Sequence, residues 1–278
     1  MVKHVVNLSG GACSFWAAHR VAEKYGTADM TLLFADTLIE DQDLYDFNDW
    51  TANYFNLPIT RVSREMTPWQ LFRKEGMIGN NRAPICSIRL KREPLDEWFA
   101  ANTTPRNSLF GEADIAYVGL DWTEGHRLAA LRASKPQWEW AAPMCEWLPV
   151  WDKNRMLSEL KTLYGKLPKA YEQGFPHNNC GRRCVRAGIT HFVRLYKVDP
   201  QQYADWEWQE ELTRREFFSR GIWGDFAVLK DRRGKGKSRP MTFAKLKGRI
   251  LANDPTLPKS DWGGCGCGVE DEVVEGNV

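Results

Sequence analysis

Apolar residues fall along this chain in two kinds of run. Short, nearly continuous apolar stretches at residues 3–8, 30–35, 60–63 and 115–119 alternate with longer segments, at 15–25, 40–55, onward to about 100, and 123–133, where apolar and polar positions recur at helical spacing. An unbroken apolar run of four to eight residues suits a strand buried on both faces, and the longer periodic runs place apolar side chains on one helix face. Strand and helix taking turns predict an α/β fold, a doubly wound parallel sheet covered by helices on both sides. Past residue 150 the rhythm changes. Residues 152–164, 181–197 and 200–218 read as helices without intervening strands, followed by a short strand at 226–230 and a helix near 242–252. The predicted division is an α/β domain over 1–150 and a helical, cysteine-containing region over 151–278, with no internal repeat.

Composition changes this picture at three points. The 278 residues carry a net charge of only +2, but "KDRRGKGKSRPMTFAKLKGR", from Lys230 through Arg249, holds nine basic residues and one acid. Such a stretch offers counterion release to nucleic-acid phosphates, so tRNA or DNA is a candidate partner. No apolar run is long enough to span a bilayer, and the first residues pass into a strand without a signal-peptide pattern, so a cytoplasmic location and no membrane partner are expected. In that compartment the seven cysteines are expected as thiols or metal ligands rather than disulfides.

The most informative short stretch is "NLSGGACS", between the first strand and the first helix. In open parallel sheets, ligands sit beyond the carboxyl ends of strands, and the first strand-to-helix turn is a common phosphate site. There backbone N–H groups and the helix N-terminus meet negative charge. Gly10 and Gly11 allow close approach, while Ser9 and Ser14 add hydroxyls. The loop has neither the Gly-Lys-Ser/Thr of a P-loop NTPase nor the GxGxxG spacing of a dinucleotide fold.

"SGG" followed two residues later by serine resembles the pyrophosphate loop of the adenine nucleotide alpha-hydrolase-like (PP-loop ATP pyrophosphatase) superfamily. Further stretches are similar, in order, to its phosphoadenosine phosphosulfate (PAPS) reductase-like family: "LLFADT", "CSIRLKREPLDEWF", "YVGLDWTEGHR", "APMCEWLPVWDKNRM", and "YEQGFPHNNCGRRCVRAG", the last resembling a block in phage and bacterial members. The resemblance implies ATP or a related adenine nucleotide with its phosphates on Ser9 to Ser14, and Asp36 accepting from a ribose hydroxyl or holding Mg2+. It places Arg89, Lys91 and Arg127 as the cations that stabilise charge on a reacting phosphate or sulfate. Two departures limit what it implies. Cys13 stands where many ATP pyrophosphatases have an aspartate, and the C-terminal Glu-Cys-Gly-x-His carrying the reductase nucleophile is absent, so the reductase activity does not follow from the fold.

Cys180 and Cys184 are four apart and would share one face of the helix expected over 181–197, while Cys265 and Cys267 lie in the glycine-rich "GGCGCG". Four thiolates can hold zinc or an iron–sulfur cluster. Cys86 is a fifth candidate, because its segment resembles the cluster-binding region of adenylylsulfate reductases and DNA phosphorothioation enzymes. Spacing leaves both sets open; the resemblance favours the cluster over zinc. Three functions follow as expectations. The first is a transferase or oxidoreductase acting at an α-phosphate or sulfate, in sulfur transfer or adenylation with release of pyrophosphate. The second is a tRNA- or DNA-modifying enzyme that inserts sulfur, and the third is a nucleotide-binding protein without catalysis.

Overall fold

The alternating runs become alternating strands and helices in the computed structural model, which describes residues 2–109, 111–231 and 238–258. In chain order these are β1 (His4–Leu8), α1 (Ala12–Tyr25), β2 (Met30–Asp36), α2 (Gln42–Phe55), β3 (Ile59–Ser63), α3 (Pro68–Glu75), a π-helical turn (Ser87–Arg92) running into α4 (Glu93–Asn102), β4 (Ile115–Val118), α5 (Gly125–Ser134) and β5 (Glu139–Ala141). The five strands form one sheet in the order β3-β2-β1-β4-β5, with every pair parallel. The fold is the expected doubly wound α/β class. β5 was not foreseen, because three residues centred on Trp140 are too few to show a pattern.

Side chains alternate between the two faces, as the two-residue period of a strand requires. Val5, Leu33, Ala116 and Val118 pack beneath α4 and α5 with Phe99, Leu128 and Leu131. Val6, Leu32, Phe34 and Tyr117 pack on the other face with Phe15, Leu44 and Phe47 of α1 and α2. After β3 the chain crosses β1 to add β4 on its far side, which opens a crevice between the carboxyl ends of β1 and β4.

The remainder comprises α6 (Pro143–Glu146), α7 (Lys153–Tyr164), α8 (Lys169–Glu172), α9 (Ile189–Val198), α10 (Pro200–Ser219), an antiparallel pair β6 (Leu229–Asp231) and β7 (Arg239–Met241), and α11 (Phe243–Leu251). Several starts are set by local capping: Asp152 accepts from the Arg155 N–H at 2.7 Å at the head of α7, and Thr242 from that of Lys245 at 3.3 Å at the head of α11. The cores interleave across residue 150. Met156 and Leu160 of α7 belong to the sheet's core, whereas Trp69 and Phe72 of α3 pack with Trp206 and Phe217 of α10.

The helix expected over 181–197 begins only at Ile189. Ahead of it Cys180, Gly181 and Arg182 take left-handed φ values of 55°, 53° and 61°. Two of these are not glycine, and such a conformation costs on the order of 1–2 kcal/mol per L-residue. Tertiary bonds offset that cost. The Gly181 N–H donates to Glu40 Oε2 at 3.2 Å, Arg182 Nε donates to Asp41 at 2.8 Å, and His191 Nε2 lies 2.7 Å from the Arg182 carbonyl. Cys180 and Cys184 therefore do not share a helix face.

Candidate functional site

The loop between β1 and α1 is closed by its own hydroxyls. Ser14 Oγ donates to the Gly11 carbonyl at 2.8 Å, and the N–H and hydroxyl of Ser9 both donate to Ser14 Oγ at 3.2 Å. Gly10 has φ +72°, and a Cβ there would fall 2.3 Å from Cγ of Leu44, so neither the backbone nor the space admits another residue. Gly119, just past β4, serves differently: its Cβ would lie 2.5 Å from the Ser14 backbone N, so its lack of a side chain lets the β4 end touch the head of α1. Among the described residues the N–H groups of Gly10 and Gly11 donate to no other group. With the positive end of α1 they form an anion cradle.

The cradle opens on a cleft of about 150 Å³ at the β1/β4 crevice. Ser9, Gly11 and Cys13 line one end. Lys91, Arg92, Arg127, Lys135 and Lys153 supply cations against the carboxylates of Asp96 and Glu124, so the cleft has an excess of positive charge. Lys91 comes from the π-helical turn and pairs with the buried Glu40 at 3.2 Å; Arg127 of α5 pairs with Glu124. Burial pushes the Cys13 thiol up to about 12, despite the lowering effect of Lys153 and Arg127. It is therefore a neutral thiol at physiological pH.

Residues 153–179 close the cleft from above, and sequence reasoning assigned none of their side chains to it. The Ala12 N–H, at the first turn of α1, donates to the hydroxyl of Tyr171 at 3.2 Å, and Asn178 Nδ2 donates to the Gly10 carbonyl at 2.9 Å. Lys153 stands 5.6 Å from the centre of the Tyr171 ring and donates to the Pro176 carbonyl. Burial raises the Tyr171 phenol, so its hydroxyl stays protonated. The one available signal was the block "YEQGFPHNNCGRRC", whose Tyr171 bonds the head of α1 and whose Asn178 bonds the loop.

The remaining expected site residues are dispersed. Asp36 is fully buried: it accepts from the Leu38 N–H at 2.7 Å and the Tyr45 hydroxyl at 2.9 Å, pairs with Arg61 at 2.7 Å, and does not line the cleft. Arg89 points outward to Glu93 at 2.6 Å. Cys86, from one segment, and Cys180 and Cys184, from another, line one small second cavity together with Lys91 and Trp206. Lys91 thus forms part of both cavity walls. Among the described residues no group of three or more His, Cys, Asp or Glu is arranged to hold a metal ion. Cys265 and Cys267 lie outside the described residues, as do residues 232–237 of the basic stretch between Lys230 and Arg249. No helix among the described residues is long and apolar enough to cross a membrane.

No protein-family model matches this chain, and no curated protein matches it. A crystal structure of phosphoadenylyl-sulfate (PAPS) reductase from Candida auris, a phosphate complex, is similar to it with a TM-score of 0.40 and 14% identity, over 64% of this chain and 76% of that one.

Proposed function

We propose that this chain is a nucleotide-dependent enzyme of the PAPS reductase-like type. In this reading it binds ATP or an adenylyl sulfate nucleotide with the phosphates on the loop from Ser9 to Ser14, and acts at the α-phosphate or sulfate. The observation that carries the reading is the anion cradle itself, two glycine N–H groups and a helix N-terminus opening on a cation-rich cleft at the sheet's crevice. Displacement at an α-phosphorus breaks the bond to pyrophosphate as the acceptor's oxygen or sulfur forms its own. Such chemistry needs positioning and charge stabilisation rather than a protein nucleophile. Lys91, Arg127 and the α1 terminus supply the positive field, while the protonated Cys13 adds no negative charge beside the leaving group. Mg2+ accompanies the phosphates in this reading.

The thiols around the second cavity fit a soft metal centre by donor type. Cys86, Cys180 and Cys184, with one of Cys265 and Cys267, would hold an iron–sulfur cluster, zinc being the alternative. A cluster would supply electrons or a site for a sulfur atom; zinc would tie the chain end to the fold. Iron with acid-labile sulfide after anaerobic purification identifies the first, and about one equivalent of zinc the second.

The function is tested by incubating anaerobically purified protein with ATP labelled at the α-phosphate and, separately, with labelled PAPS. Labelled AMP or an adenylylated product with pyrophosphate release is expected from ATP, or sulfur transfer from PAPS. Absence of nucleotide binding by calorimetry removes the reading.

A further inference from the structure

The C-terminal end of α10 holds two aromatic rings in the open. Phe218 is 64% exposed, and Trp223, in the turn just past the helix, is 71% exposed. Their rings meet edge to face with centroids 4.7 Å apart. The mount beneath them is fixed. The Gly221 N–H donates to the Phe218 carbonyl at 3.0 Å and the Ile222 N–H to the Phe217 carbonyl at 2.8 Å. Phe217 itself is fully buried and packs edge to face on Phe226, with centroids 4.9 Å apart. Large rings held out in water forgo the gain of burial, and such surface marks a place of contact.

Positive charge lies along the same edge of the helix. Glu207, Arg214 and Phe218 stand at i, i+7 and i+11, and Glu207 pairs with Lys247 of α11 at 3.1 Å, so this edge faces α11. The buried Glu210 accepts the N–H groups of Val228 and Phe243, which fastens the base of the β6–β7 pair and the head of α11 to α10. Arg239 on β7 and Lys245 on α11 are exposed, and residues 239–249 hold four basic residues and no acid. Arg214, Arg215 and Arg220 pair with Glu211 and Glu216 at the surface. Exposed pairs of this kind are weak, so a phosphate can take the carboxylate's place.

We propose that Phe218 and Trp223 form a stacking platform for the unpaired bases of a single-stranded nucleic acid, whose phosphates follow Arg214 toward Arg239 and Lys245. Every base has a face that stacks on an aromatic ring, whereas a duplex keeps its bases stacked on one another. An acidic protein would answer the cations and leave the rings in water. An apolar protein surface would cover the rings but take the cations out of water without partners. A single strand answers both. RNA and DNA strands share this chemistry. The lining of the cleft falls within residues 7–179, so the proposal stands apart from the nucleotide reading.

The test measures the anisotropy of labelled oligo-dT and oligo-U of about 12 nucleotides, and of a duplex of the same length, with the full chain. At least one single strand is expected to bind about tenfold more tightly than the duplex, with affinity falling as salt rises. Phe218→Ala/Trp223→Ala should weaken that binding roughly 30-fold and leave the salt slope unchanged, because stacking releases no counterions. Arg239→Ala/Lys245→Ala should flatten the slope by about 1.4, at roughly 0.7 per phosphate contact. All four side chains are exposed, and melting temperatures confirm that the variants fold. Trp223→Tyr, which keeps a ring, should retain affinity within about threefold. A preference for oligo-U assigns the strand to RNA and one for oligo-dT to DNA, and either supports the platform. Full affinity in the folded Phe218→Ala/Trp223→Ala variant overturns the proposal. So does equal binding of the duplex or of an oligoglutamate peptide, or no binding of either strand at about 50 mM salt.

Discussion

The sheet and the helical region around α9 and α10 are held together by different kinds of force. In the sheet, neighbouring residues such as Val5 and Val6, or Leu32 and Leu33, feed two apolar cores, one under each face. Around α9 and α10 an apolar core is also present, but it is pinned by buried polar side chains. Arg182 donates to Asp41, to Gln173 at 2.5 Å and to Asp199 at 3.1 Å. Glu210, 2% exposed, accepts the N–H groups of Val228 at 2.9 Å and Phe243 at 2.8 Å, joining α10 to the β6 and α11 ends. Apolar burial is non-directional and tolerates small shifts; polar pins specify one arrangement and respond to charge.

The largest expected effect sharpens this contrast. Arg182→Ala removes a guanidinium that is 5% exposed, takes away the cation paired with Asp199 and leaves Asp41 with the more distant Arg183 at 4.0 Å, with a loss of about 3 kcal/mol in urea unfolding. Leu32→Ala in the sheet should cost a comparable 2–5 kcal/mol, roughly, through its cavity. Only the arginine variant should also release the left-handed turn and disturb the cysteines of the second cavity, as read by their alkylation rates in the folded protein. A loss below about 1 kcal/mol for Arg182→Ala, the range of exposed pairs, breaks the comparison.

Glu210 gives the next effect. Burial pushes its carboxyl up to about 7, outweighing the two N–H bonds that favour the ionised form. The folded state holds this proton more tightly than the unfolded chain, so well below pH 4.5 the group is neutral in both states and the stability it favours is fully present. As pH rises from there to about 7 the unfolded chain releases its proton first, and stability falls, on the order of 3 kcal/mol in all, then levels off. Glu210→Gln should flatten that slope in melting temperatures taken between pH 4.5 and 8. An unchanged slope assigns the pH dependence elsewhere.

A smaller effect is expected at the cradle. Tyr171→Phe removes the acceptor of the Ala12 N–H, costing about 1 kcal/mol of stability. It also leaves that donor available to an anion, so ATP should bind several-fold more tightly; weaker binding would mean that the hydroxyl contacts the phosphates. The smallest effect is at Arg89, which is half exposed and paired with Glu93. Arg89→Ala should change stability by less than about 0.5 kcal/mol and leave ATP affinity unaltered. A large loss of affinity would bring Arg89 into the site that its outward direction excludes.

The sequence by itself determined four of the sheet's five strands and the loop after the first. Short apolar runs between helical segments suit strands buried on both faces, and Gly10 supplies the left-handed φ that the turn at the head of α1 requires. These are local properties, carried by consecutive residues. The tertiary structure alone decided which charged residues face the cleft. Arg89 and Lys91 are two positions apart on the same π-helical turn, yet one pairs outward with Glu93 and the other inward with Glu40, because only the second is met by a buried carboxylate from another segment. The same holds for Tyr171, Asp96 and Lys135, which the fold brings to one cleft from separate segments. It holds most clearly at Cys180 to Arg182, where a helical reading gave way to a left-handed turn. Helical spacing describes only neighbours in sequence, whereas the bonds from Glu40 and Asp41 that hold this turn come from residues more than a hundred positions away.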